Sequence, residues 1–435
     1  MKLDLQRFFD ACDPTRTLVM EKAEDRRYYT DFSSVRGSKM TGILRRTITQ
    51  LAPDRCTCQL FTGHIGCGKS TELLRLKNEL EQYNFHVVYF ESTQALDMVD
   101  LDITDILLAI TQQVSQSLEE TGIWIRPSYF INLLSELQQI YPLKIGYSEV
   151  SLPVAIAQIT NQTKRSTKLR SQIRQYLEPR TNGILNSINQ EFLELAIEKL
   201  RLQGKRGLVV IVDNLDRVDS QPKVAGKPLP EYLFIDRGEQ LRQLNCHIVY
   251  TIPITLMFSN QSQALTNGLG GGVVPMVLPM VPVLRRDGRD FEEGLKLLRE
   301  MVQARAFPDV DWSQRLDLIT EVFDHRDTLD RFCRISGGHV RCLLGLLYRC
   351  LQEEDPPLSR TCLERVIQEY KNSLVPAIRD DEWELLRRVF QLKSINGEIR
   401  QQALLQSMLV FEYQDEQGRW FGLNPALRET DKFSI

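Results

Sequence analysis

The 435-residue sequence has no apolar run of 18 residues, which excludes a membrane-spanning helix of ordinary length. It has no C-x-x-C pair. Its nine cysteines, at 12, 56, 58, 67, 246, 333, 342, 350 and 362, are scattered and odd in number, and the five histidines are not spaced with them as zinc ligands. Reduced thiols in a cytosolic protein are the expectation. Strong net charge is missing as well. The 54 basic residues stand against 57 acidic ones, a formal net of -3, so nothing drives the whole chain toward nucleic acid or an anionic membrane, and such a partner would need a local patch. Internal repeats and low-complexity tracts are absent. The opening MKLDLQRFFDACDPTR is charged too early and too often for a secretory leader.

What is present is ordinary globular material. Apolar residues make up 42% and charged residues 26%, enough to bury a core in two to four domains. Apolar β-rich runs alternate with amphipathic helices: CTCQLFT (56–62), FHVVYFE (85–91), GLVVIVD (207–213) and CHIVYTI (246–252) read as strands, and STELLRLKNELEQY (70–83) as a helix. VVPMVLPMVPV (273–283) is a fifth strand candidate, weakened by its prolines. This rhythm predicts an α/β fold with a parallel sheet wrapped by helices. Residues 1–55 form a lead-in, with a turn at Val35-Arg36-Gly37 and a helix from Met40 to Leu51. The core spans 56–285 and contains a long helical insertion at about 101–205; a helical lid covers 286–375. Residues 376–435 read as helices followed by a hairpin, LVFEYQ (409–414) and RWFGL (419–423), the order of a winged helix.

The chemistry is concentrated in Gly63-His64-Ile65-Gly66-Cys67-Gly68-Lys69-Ser70, which fits G-x-x-x-x-G-K-[ST] between a strand and a helix. Glycines let the backbone bend until its N–H groups face phosphate oxygens. The helix that begins at Ser70 and Thr71 adds its positive end. Lys69, expected to face solvent in the empty loop, reaches the β and γ phosphates of ATP as a point charge. The Ser70 hydroxyl is a hard oxygen ligand for Mg²⁺. Cys67 has two readings, a small residue that fits or a thiol activated by the lysine and the helix end.

A second element is Asp213, set at the end of the apolar run Val209–Val212, where a carboxylate holds the magnesium water shell. The position after it, where a hydrolytic ATPase often carries a second acid, is Asn214, and Asp216 is the nearest acidic candidate to orient water. Slow hydrolysis follows as an expectation.

These residues resemble the AAA+ and STAND classes of P-loop ATPases, including origin-recognition ATPases and NLR-type switches, and the Asp-x-Leu-Asp-Arg run is similar to that of KAP-type proteins. The resemblance implies binding of ATP or ADP with Mg²⁺. It implies a γ-phosphate sensor at Thr251, a lid arginine sensor at Arg341, and an adenine-side turn at Val35, Arg36 and Gly37. An arginine finger is not where the resemblance would place it, since 251–284 holds no charged residue; Arg237 and the pair Arg285–Arg286 are the substitutes. The NLR-type histidine of the winged helix is replaced by Asn424, before Pro425.

Two functions follow. One is a nucleotide-controlled switch that governs assembly, as a homo-oligomer or with separate effector and sensor proteins, by analogy in bacterial defence. The other is a DNA-acting ATPase, an initiator, loader or transposition regulator. DNA contacts would come from the basic stretch Lys164–Arg180 or from the winged helix, whose segment Ile395–Leu409 carries only Glu398 and Arg400 as charges. The expectation is that the winged helix packs against the ATPase core through apolar residues such as Trp383, Leu386, Phe411 and Trp420, some of them forming its own core.

Overall fold

The computed structural model describes residues 3–37, 39–141, 151–220 and 226–434. Five strands form one sheet in the order β2-β3-β4-β1-β5. They are β1 (Cys58–Gly63), β2 (His86–Glu91), β3 (Leu208–Asp213), β4 (His247–Thr251) and β5 (Met276–Leu278). The pairings of β2 with β3, β3 with β4 and β4 with β1 are all parallel. All six residues of β3 are buried, as a strand covered on both faces requires, and its run Leu-Val-Val-Ile-Val shows no polar alternation. The proline-rich fifth strand shrinks to three residues, because proline has no N–H to give to a ladder.

The chain divides into two compact units. One combines Gly42–Thr62 with Leu76–Met276 and holds β1 to β4 and the insertion. Its core joins the sheet side chains Val88, Val210 and Ile248 to Ile106, Ile110, Phe130 and Phe192 of the insertion. The expected insertion is a succession of helices between Ile103 and Leu202, interrupted at 121–127 and at 165–166 among the described residues, and it begins at the capping box of Asp102 and Asp105.

The other unit combines Met1–Thr41, Gly63–Arg75 and Val277–Ile435. Its core runs from Phe8 and Phe32 through the helices Glu292–Ala306, Arg326–Ile335, Val340–Glu353 and Arg360–Leu374. Helices Asp380–Leu392 and Ile399–Gln406 precede the antiparallel hairpin of β6 (Val410–Asp415) and β7 (Gly418–Leu423). Helix, helix and hairpin thus appear in the order read from the sequence. The units cut across the sequence boundaries: the lead-in up to Thr41 and the phosphate-loop segment cluster with lid and winged helix. Arg305 explains part of this. It is buried, and its guanidinium donates to the carbonyls of Ala11 and Tyr28, fastening the lead-in to the lid helix.

Candidate functional site

The phosphate loop begins at the end of β1, and its helix runs from Lys69 to Gln82. Every carbonyl from Gly63 to Cys67 is held. Lys69 Nζ donates to Gly63 O at 2.8 Å and His64 O at 2.9 Å. His339 Nε2 meets Ile65 O at 2.9 Å, so this ring carries its proton on Nε2. The backbone N–H of Arg341 donates to Gly66 O at 3.2 Å. Arg36 Nη2 donates to Cys67 O at 2.7 Å. In a trans peptide the next N–H points opposite to the carbonyl. Pinning Ile65 and Cys67 by their carbonyls therefore turns the N–H groups of Gly66 and Gly68 the other way, as an anion cradle requires. A Cβ on Gly68 would meet nothing within 4 Å, so that side of the loop is open.

One expectation changes here, and one of two open readings is chosen. Lys69 does not face solvent: it is 6% exposed, because its ammonium donates to two loop carbonyls, those of Gly63 and His64. Cys67 is the small residue that fits, fully buried with its thiol toward Leu278 O.

Gly66 shows why the loop needs glycine at that place. Its φ is +84°, and a Cβ there would lie 2.5 Å from His339 Nε2 and 2.8 Å from Arg341 Cβ. Arg341 sits in the first turn of the helix Val340–Glu353, as the resemblance implied, and touches the loop through its main chain and its stem. Of the adenine-side turn, Val35 and Arg36 are buried, and Gly37 takes φ +79° beside Gln414 of β6. Burial lowers the pKa of Arg36 from its usual value.

The winged-helix hairpin also touches the loop. The backbone N–H of Glu412 donates to His64 Nε2 at 2.9 Å, and the Phe411 ring lies 6.0 Å from that of His64 and 5.8 Å from that of His339. Burial holds both imidazoles neutral, His64 lowered to about 3 and His339 to about 4. Glu412 is 2% exposed. Burial pushes its carboxyl up to about 7 in spite of an ion pair with Arg419 at 2.6 Å. Asn424, the counterpart of the NLR-type histidine, is engaged elsewhere, with Tyr370 and Met408. Trp383, Leu386 and Trp420 are buried like Phe411, with Trp420 stacked on Tyr413; Phe411 is the one against the loop histidines.

In the other unit Asp213 closes β3 and Thr251 closes β4. Asp213 Oδ1 accepts from Asn214 N and Oδ2 from the Tyr89 hydroxyl, each at 2.7 Å. Asn214 takes the left-handed φ of +59°, and Leu215–Arg217, with Asp216 inside it, is a single 3-10 turn. The Thr251 hydroxyl accepts from Leu215 N at 2.9 Å and lies 3.3 Å from Val212 O, so it stiffens the turn after Asp213. Sequence reasoning missed His64, His339, Glu412 and Tyr89 as partners, because each acts through a contact far away in the chain.

The substitutes for an arginine finger are engaged. Arg237 bonds Glu178 and the Tyr232 hydroxyl, and Arg286 bonds Asp415 and the carbonyl of Gly418; Arg285 is paired to Glu293 at 3.8 Å. The basic stretch is thinner than its composition suggests. Arg170 is buried against Asp97 and Asp100, Arg174 bridges Asp100 and Asp105, and Arg180 lies over the Tyr176 ring. Lys164, Arg165 and Lys168 stay exposed. No metal-binding cluster of His, Cys, Asp and Glu is found among the described residues, and no helix is long and apolar enough to cross a membrane.

No protein-family model matches the chain, and neither does any curated protein sequence. In fold it is similar to the ORC2 protein of Aeropyrum pernix, solved with ADPNP and ADP, at 13% identity over 99% of this chain and 97% of that one, with a TM-score of 0.43. It is similar to the Walker-type ATPase of Pyrococcus abyssi at 11% identity, covering 98% and 100% with a TM-score of 0.43. It is also similar to Cdc6p from Pyrobaculum aerophilum at 12% identity, covering 94% and 97% with a TM-score of 0.39. These are likenesses of fold alone, spread along nearly the whole chain.

Proposed function

We propose that this chain binds ATP and hydrolyses it slowly, and that lid and winged helix read which nucleotide is bound. The observation that carries the reading is the position of His64. Its carbonyl holds Lys69 and its ring holds the N–H of Glu412. Lys69 must leave Gly63 and His64 to reach phosphate oxygens, so filling the loop alters the residue that the hairpin grips. His339 and Arg341 make the lid a second reader of the same loop.

The residues suit magnesium nucleotide. Gly66 and Gly68 offer N–H groups, Lys69 a cation, and Ser70 and Asp213 the hard oxygens that Mg²⁺ prefers. Bound magnesium would supply charge neutralisation of the phosphates. Tyr89 and the Asn214 N–H orient the Asp213 carboxylate. Asp216, the next acid along the chain, is the candidate for orienting water. Slow turnover is supported by Asn214 in place of a second acid and by the engagement of Arg237, Arg285 and Arg286.

What the switch acts on has two readings. The first is assembly with partner proteins or further copies of the chain. The second is DNA, favoured by the helix, helix and hairpin order of 380–423. The known structures of similar fold include the ORC1 protein of Aeropyrum pernix in complex with DNA, a likeness that assigns no DNA contact to this chain. Residues 376–435 hold 8 basic and 10 acidic side chains, 8 − 10 = −2. Arg400 is paired to Asp381, and the Gln401 and Gln402 side chains bond Asn396 N and Gly397 O of the same segment. A helix whose polar groups are used at home offers little to phosphates and bases.

The test of the switch is release of a fluorescent ADP analogue. His64→Ala should speed release several-fold by uncoupling hairpin from loop. Release at the wild-type rate, in a variant that still binds nucleotide, would overturn the reading.

A further inference from the structure

Asp213 and Thr251 stand at the C-terminal ends of β3 and β4. At the opposite, N-terminal ends of β1 and β4, within the same unit, lies a cavity of about 860 Å³, a size typical of small-molecule sites. Three independent features of its wall point to a ligand. Gln59 of β1 is 8% exposed, and its Nε2 is buried with no hydrogen-bond partner. Leaving such a donor unpaired is destabilising, and an acceptor brought by a ligand would relieve it.

Charge is the second feature. Arg55 and Arg242 both line the cavity, against the single carboxylate of Glu239, and no ion pair to either arginine is found among the described residues. Arg242 is exposed and rests on the glycine loop. A Cβ on Gly271, φ +58°, would lie 2.4 Å from its Cζ, so the guanidinium packs flat on glycine backbone where any other residue would displace it. The loop is closed on itself: the N–H groups of Gly270, Gly271 and Gly272 donate to Leu265, Gly268 and Thr266. Anion recognition here therefore falls to the guanidinium and not to the loop's amides. The third feature is apolar. Ile43, Val273 and Val274, at 47%, 67% and 60% exposed, border the same space.

We propose that this cavity is a second ligand site for a small anion with an apolar end. The anionic group, a carboxylate or a phosphate monoester, pairs with Arg242 and Arg55. A ligand oxygen accepts from Gln59 Nε2, and the apolar end lies against Val273, Val274 and Ile43. Guanidinium suits either anion because both offer two oxygens to its fork.

Titration of the full chain with 8-anilinonaphthalene-1-sulfonate, an anionic apolar dye, reads the site directly. The expected result is one saturable binding event that octanoate or octyl phosphate displaces, the more effective competitor naming the anion, and that excess MgATP leaves in place. Arg242→Glu should weaken dye binding at least tenfold. Val273→Asp, at a rim position where folding is indifferent to charge, should weaken it several-fold, as should Gln59→Leu, while the thermal midpoint of each variant stays near wild type. Absence of saturable binding, displacement by MgATP, failure of both competitors, or equal affinity in wild type, Arg242→Glu and Val273→Asp would each overturn the proposal.

Discussion

Arginine does opposite work in two regions of this molecule. In the insertion, Arg170 and Arg174 are consumed by Asp97, Asp100 and Asp105. They hold a helix of the insertion to the segment Asp97–Asp105, and a run that looked like a basic surface becomes internal glue. In the phosphate-loop unit, Arg36 and Arg341 reach a flexible glycine loop and grip its carbonyls, by side chain in one case and main chain in the other. Local composition favours the insertion as the place for charge chemistry. Geometry favours the loop, because an arginine paired with two carboxylates has no field left to offer, whereas one that fixes a carbonyl also aims the next N–H.

Breaking the loop side should give the largest effect. Lys69→Ala removes the cation and its hydrogen bonds to the carbonyls of Gly63 and His64. ATP binding should fall by at least 100-fold, about 2.7 kcal/mol. The thermal midpoint should drop only slightly, since water can enter an emptied loop. Isothermal titration with MgATP checks this, and equal affinity in variant and wild type would refute the site.

The insertion side should answer in stability alone. Arg174→Leu leaves Asp100 and Asp105 without their shared partner, and burial already raises the pKa of Asp105 despite that arginine. A loss of roughly 1–3 kcal/mol is expected, measured by urea unfolding. ATP affinity should stay within twofold. A large drop in affinity with unchanged stability would erase the contrast between the two regions.

How much of this could be read beforehand follows from the range of the signals. The loop Gly63–Ser70, the acidic strand end at Asp213, the helical insertion and the helix–helix–hairpin order are local patterns, and the structure repeats them within a few residues. The proline penalty on 273–283 was legible too, and it shortened β5 as proline chemistry demands. The partners of the loop were not legible. His339 meets Ile65 across 274 residues, and Glu412 meets His64 across 348; neither position has a periodic or spacing signal. The same holds for Lys69, whose burial depends on where the loop turns its carbonyls. The lead-in looked separate because composition marks breaks in a chain and not which pieces rejoin.

Glu412 sharpens the comparison through pH. Its folded pKa of about 7 lies above the ordinary carboxyl value of 4.5, with burial as the first cause. Between these values the folded chain holds a proton that the unfolded chain has lost, so this group makes stability fall as pH rises from 4.5 to 7. The cost at pH 8 is on the order of 1–3 kcal/mol. Glu412→Gln should therefore match wild type near pH 4.5 and exceed it above pH 7, and chemical denaturation at both values checks the sign. A variant less stable than wild type at pH 8 would show that the Arg419 pair outweighs burial.

The smallest expected effect concerns DNA, and it separates the two readings of the output. Lys164, Arg165 and Lys168 are the exposed cations left in the basic stretch, while Arg400 of the winged helix is tied to Asp381 at 3.0 Å. Each phosphate neutralised steepens the salt dependence of binding by about one counterion. Three cations thus allow a slope of about −3 and weak affinity at physiological salt. The triple change of Lys164, Arg165 and Lys168 to Glu should abolish what binding there is, and Arg400→Glu should alter it by less than twofold, as fluorescence anisotropy with duplex DNA at several salt concentrations would show. Loss of tight binding from Arg400→Glu alone, with the triple variant unaffected, would make the winged helix the DNA reader and move the output from protein assembly to DNA. That outcome would also reverse the contrast drawn above, since a paired arginine on a net acidic domain would then be reaching a phosphate that the exposed cations of the insertion do not.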